Sequence, residues 1–138
     1  MDETPEEELH PWITRVHDSL HIQRYPLDLS DESIREFVDY SERFILALPT
    51  PYAWVVEIEG LVRAPRRQRQ LVQDLGTKLS SYAAKHSAGT AIVAKGMMLR
   101  GLVKTQYLVK APVFPVKVVD TTERGIQWAK DQLAARES

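Results

Sequence analysis

The chain contains no cysteine. That removes disulfides, thiolate catalysis and zinc–cysteine sites together, and it fits a reducing compartment. It also lacks an excess of either charge. With 18 Lys and Arg against 19 Asp and Glu, the net charge is −1, whereas a dedicated nucleic-acid binder carries a basic surplus. No apolar run approaches the roughly 20 residues that a membrane span needs. Met1 to Glu8 is acidic with no apolar run behind it, so no secretory signal is expected. The expectation is a soluble, cytoplasmic protein that engages neither nucleic acid nor membrane. Glycine-rich phosphate loops are missing as well, since Gly60 and Gly76 match neither a dinucleotide nor a P-loop spacing. No nucleophile–base pair stands out, so neither catalysis nor a cofactor is expected.

What is present suffices for one domain. The 138 residues are long enough to bury a self-sufficient core, and 43% apolar with 27% charged residues lies well outside the disordered regime. Residues 1–10, with Asp2, Glu3, Glu6, Glu7 and Glu8, read as a flexible acidic tail, and residues 11–138 as a single domain.

Trp12 to Val16 and Ser19 to Tyr25 read as a hairpin turning at Asp18-Ser19, with Leu20 and Ile22 alternating as in a half-buried strand. Ser30 is a good N-cap, followed by Asp31 and Glu32 in the first turn, where the helix dipole favours negative charge. Leu29 and Ile34 have the spacing of a hydrophobic staple. The apolar stripe Ile34, Phe37, Val38, Ser41, Ile45 and Leu48 then runs until Pro49 and Pro51 end it. Ala53 to Ile58 has the near-continuous apolar content of a strand buried on both faces, closed by Gly60. Pro65 is placed to open a second helix as its first residue. Its stripe is Leu71, Val72, Leu75, Leu79, Tyr82 and Ala83, and it ends at Gly89. Thr90 to Ala94 is another buried strand, Met97 to Lys110 a third helix, and Val116 to Val119 a last strand. Asp120 and Glu123, at capping-box spacing, open a fourth helix. The expected order is ββαβαβαβα: an α/β fold with a mixed, mostly parallel sheet, an antiparallel N-terminal hairpin at its edge and four helices.

That order, taken with Met98-Leu99-Arg100-Gly101-Leu102, Tyr107-Leu108, Phe114-Pro115-Val116 and Thr122-Glu123-Arg124-Gly125-Ile126-Gln127-Trp128, resembles the STAS-like family. This family comprises anti-sigma-factor antagonists and SEC14-related small bacterial regulatory proteins. The resemblance runs from Trp12 to Ala135 and rests on an Arg-Gly pair opening the third helix and a tryptophan in the last. It implies a STAS-like fold and a protein-binding, regulatory role. Antagonists of that family carry a phosphorylatable Asp-Ser pair where the buried strand meets the second helix. This chain has Gly60-Leu61-Val62-Arg63-Ala64-Pro65-Arg66-Arg67 there, with no hydroxyl to phosphorylate.

Candidate partner- or anion-binding residues are Arg63, Arg66, Arg67 and Arg69, four cations around the start of the second helix, where they oppose the dipole. They form either a solvated face or a docking surface for an acidic or phosphorylated protein partner, since guanidinium forks grip carboxylate and phosphate. Met97 and Met98, with Arg100 of the Arg-Gly pair, are the other candidate: packed core, or an adaptable contact. Self-association is a further possibility. His17 and His21 flank the hairpin turn without a third ligand and read as exposed strand residues, so no metal is expected. Glu57 and Glu59 fall on one face of the central strand near its carboxyl end, where open α/β sheets bind ligands, but Glu57 reads as a paired structural charge. The rival readings are a small-molecule or lipid-binding domain, which a large apolar cavity would favour, and a small enzyme, which a polar cleft would favour.

Overall fold

A computed structural model describes residues 9–107 and 112–137 of the chain. Five strands form one sheet in the order in which they occur in the chain: β1 (Ile13–His17), β2 (Leu20–Arg24), β3 (Tyr52–Glu57), β4 (Ser87–Val93) and β5 (Val116–Val119). β1 and β2 are antiparallel, and all later neighbours are parallel, with Leu20 opposite Ala53 and Thr90 opposite Val116. The sheet is therefore mixed, with β1 as its antiparallel edge and β5 as its other edge.

Six helical segments accompany it: α1 (Asp31–Ala47), α2 (Glu59–Val62), α3 (Arg66–Lys78), α4 (Ser80–His86), α5 (Met97–Tyr107) and α6 (Thr122–Glu137). Alternation along the strands divides the core in two. Trp54, Val56 and Ile92 face α1, α3 and α5 through Ile34, Phe37, Leu71, Leu99 and Val103. Leu20, Ile22, Ala53, Val55 and Ala91 face α6 through Ala129 and Leu133. The architecture is three layers, with α6 alone on the second face. It can approach closely because Gly125 sits over β3 and β4, where a Cβ would meet Val55 Cγ1 at 3.0 Å.

The α1 N-terminus forms as its sequence predicts, with Ser30 as N-cap, and Ser33 adds a capping box. Ser30 Oγ accepts from the Ser33 N–H at 3.0 Å, and Ser33 Oγ accepts from the Ser30 N–H at 3.2 Å. Elsewhere the helix count departs from four. Glu59 and Gly60 leave the strand and belong to the turn α2, because the chain folds back beneath residues 25 and 26. A Cβ on Gly60 would collide with the Tyr25 and Pro26 carbonyl oxygens. Pro65 takes the N-cap position, one residue before the helix proper. The predicted second helix is interrupted at Leu79 (φ −95°, ψ 8°). Thr77, Ser80 and Ser81, weak helix formers at that point, let the chain turn toward β4.

Gly89 is likewise inside β4 and does not end a helix. Its φ of +152° suits glycine, and an added Cβ would lie 2.8 Å from Trp128 Cη2 of α6. Thr121, not Asp120, caps α6, its Oγ1 accepting from the Arg124 N–H at 3.1 Å. Residues 1–8 of the acidic tail and the predicted end of the third helix lie outside the described residues, whereas Leu9 and His10, also assigned to the tail, pack on the core, His10 against Trp12, Phe37 and Tyr40. No helix among the described residues is long and apolar enough to cross a membrane.

Candidate functional site

The four arginines around α3 are mostly committed to the fold. Arg63 pairs with Glu59 one helical turn back at 3.0 Å. Arg67 donates from Nε to both oxygens of Asp31, at 3.1 and 3.0 Å, across to the first turn of α1. Arg69 donates from Nη1 to the Ala64 carbonyl at 2.7 Å, just ahead of its own helix. Between Arg67 and Arg69, the buried Gln68 donates from Nε2 to Asp31 Oδ1 at 2.7 Å and to the Leu29 carbonyl at 3.1 Å. Hydrogen bonds from Gln68 first, then Arg67, hold the Asp31 carboxyl below its ordinary value. The group thus clasps the N-terminus of α3 to that of α1, which is why cations are tolerated there. Arg66 alone of the four is exposed with no hydrogen bond or ion pair among the described residues.

The second candidate group opens α5, which follows β4 at the same carboxyl end of the parallel strands, and the structure brings it together with residues that the sequence reading did not select. Met97 and Met98 are each 82% exposed at the start of α5, while Leu99 and Val103 are buried. Leu102 is 42% exposed and follows Met98 by one turn. Met97 and Arg100 share the other flank of the helix. Arg100 lines a cleft of about 340 Å³ together with Lys117, Arg124, Asp120 and Trp128. Arg124 pairs with Asp120 at 3.3 Å, whereas Arg100 and Lys117 have no ion-pair partner among the described residues. The cleft wraps β5, whose outer side has no strand beside it among the described residues. Lys117 was the legible part of this site, a charge within the short apolar strand Val116–Val119. Arg124 was not, because only the fold sets the first turn of α6 beside β5.

The carboxylates separate. Glu57 Oε1 accepts from Arg24 Nε at 2.9 Å and Oε2 from Thr122 Oγ1 at 2.7 Å, tying β2, β3 and α6 together, while Glu59 faces Arg63. His21 corrects the reading of an exposed strand histidine. It is fully buried between β1 and β3, its ring edge-on to Phe44 at 5.0 Å and beside Trp54 at 5.6 Å. Burial, with Arg15 and His17 adding to it, lowers its pKa to about 4. Arg15 Nε donates to its Nε2 at 3.4 Å, which leaves the proton of the neutral ring on Nδ1. Among the described residues no three His, Asp or Glu side chains converge as metal ligands would.

A different kind of space lies between α1, α3 and the sheet: two adjoining cavities of about 230 and 320 Å³ that share Gln23, Tyr25, Val72, Thr90 and Phe114 in their walls. Comparison of the chain with protein-family models, curated proteins and solved structures finds no match.

Proposed function

We propose that the chain is a non-catalytic, STAS-like protein-interaction module that docks an acidic, extended segment of a partner protein along β5 and the start of α5. One observation carries this reading: two adjacent methionines, each 82% exposed, open the helix whose Arg100 shares a cleft with Lys117 of β5, an edge strand, and both cations lack an ion-pair partner among the described residues. An unpaired edge offers backbone N–H and C=O groups to an incoming strand. The cations favour an acidic one, and unbranched methionines adapt to varied apolar side chains between its charges. The segments carrying the family resemblance, around Arg100 and from Thr122 to Trp128, border the same cleft, which supports a STAS-like identity for the module. A cytoplasmic, regulatory or scaffolding role follows from it.

The test is photo-crosslinking from position 97 in the native host, with sequencing of the crosslinked peptide. An acidic partner segment, lost in the Arg100→Glu/Lys117→Glu variant, is the expected result. A basic segment, or crosslinks unaffected by charge reversal, would overturn the proposal. Crosslinks to a second copy of the chain would make it a self-association module.

A further inference from the structure

Positive charge reaches the cleft beside β5 from three separate elements: Arg100 from α5, Lys117 from β5 and Arg124 from the first turn of α6. Against them stands one carboxylate, Asp120, which takes a single guanidinium nitrogen of Arg124 at 3.3 Å. Glu123, in the same turn as Arg124, does not line the cleft. Three cations and one anion leave a surplus of two positive charges within about 340 Å³, in a chain whose net charge is −1. The surplus is a local concentration and not an effect of composition. α6 is 16 residues long and begins at this cleft, so the positive end of its dipole adds to the same field. Lys117 is the one charge in the strand Val116–Val119, and it is exposed. Like charges gathered without counter-charge repel one another, an arrangement that a bound anion relieves.

We propose that this cleft holds a phosphate on a side chain of the docked partner segment, a phosphorylated serine, threonine or tyrosine, which rests on the docking reading and names the segment's anchor. A phosphoryl group carries about 1.5–2 negative charges at pH 7 and three acceptor oxygens. That matches a surplus of two charges supplied from three elements. A carboxylate, with one charge and two oxygens, leaves a cation unanswered. Arg100 and Arg124 present forked donors and Lys117 a point charge. Trp128, the aromatic residue of the cleft, offers its ring to the carbon atoms that bear the phosphate.

Phenyl phosphate, benzenesulfonate and benzoate, titrated into the full chain at constant ionic strength, separate charge from shape. All three carry a ring, but only phenyl phosphate is a dianion, and benzenesulfonate shares its three outer oxygens with a single charge. ¹H–¹⁵N spectra follow the Lys117 amide and the Trp128 indole, the latter assigned through Trp128→Phe. Phenyl phosphate is expected to move both signals and to bind about fivefold tighter than either monoanion, the effect of a second charge near solvated cations. Arg100→Gln and Lys117→Gln should each weaken it about threefold and leave the thermal midpoint in place. Arg66→Gln, the same charge change outside the cleft, should not weaken it. In the native host, the peptide crosslinked from position 97 should carry a phosphate. Monoanions that bind as tightly as phenyl phosphate, an equal loss in Arg66→Gln, or a crosslinked peptide that is acidic but unphosphorylated would each overturn the phosphate anchor. The last of these leaves the docking reading standing, so the two fail separately.

Discussion

Gln68 and Asp31 are joined by a 2.7 Å hydrogen bond that fixes the first turn of α3 against the first turn of α1, and Arg67 grips the same carboxylate. Because these bonds favour the ionised form, the Asp31 pKa in the folded chain lies below its unfolded value of 3.8. The stabilisation is therefore complete above about pH 4 and is lost as pH falls through the lowered folded value. Asp31→Asn should lower the urea midpoint at pH 7, and its difference from the wild type should shrink as the carboxylate is protonated in acid. Gln68→Ala strips a buried amide of its packing and both its bonds, and should cost about 1–3 kcal/mol in equilibrium unfolding.

His21 gives a second acid-sensitive term, displaced to higher pH. Its ring is neutral in the fold, with a pKa of about 4 against 6.5 when unfolded. The unfolded chain then binds a proton that the folded chain does not, so stability declines as pH drops from about 6.5 toward 4 and changes no further below it. An NMR titration should find the His21 ring uncharged at pH 5.5. His21→Phe, which keeps an aromatic ring between Phe44 and Trp54, should remove this limb of the stability–pH curve.

Gly60 is required for space. The nearest atoms to an added Cβ are the Tyr25 and Pro26 carbonyl oxygens, backbone atoms that no rotamer change can move. Gly60→Ala should therefore displace α2 or the end of β2 and destabilise by several kcal/mol, toward the large end of single substitutions. Gly76→Ala, with open space at its Cβ, should be neutral or stabilising. Paired thermal melts check both.

The strands were legible because their apolar runs are interrupted by turn residues on every side, and α1 because Ser30 and Pro49 mark both its ends. The interruption at Leu79 was not legible: Leu71, Leu75, Leu79 and Tyr82 continue one helical stripe straight through it, and only the need to reach β4 bends the chain there. Gly89 carries the same lesson. A glycine after a helical pattern reads as a cap, but here its bare Cα makes room for Trp128, 39 residues further along the chain. For the site, sequence proximity drew attention to four arginines that the fold largely spends on holding α3 in place. Lys117 and Arg124, far apart in the chain from Arg100, became part of one cleft only through the placement of β5 and α6.

The two basic groups make opposite predictions, and one experiment separates them. Arg67 holds Asp31, so Arg67→Glu should lower the thermal midpoint and leave partner capture unchanged in the protein that remains folded. Arg66 holds nothing among the described residues, so Arg66→Glu should alter stability by no more than about 0.5 kcal/mol and leave capture intact. Met97→Glu/Met98→Glu replaces side chains that are 82% exposed and bury little in the fold, so the thermal midpoint should again stay within about 0.5 kcal/mol of the wild type. Capture should nevertheless fall at least tenfold, because the variant puts two carboxylates where an acidic segment would lie, and like charges at close range act against association. Rising salt should weaken wild-type capture in step, as expected when exposed cations guide the partner. If capture instead followed Arg66 and ignored Met97 and Met98, the docking face would belong at α3, and the exposed methionines of α5 would need another explanation.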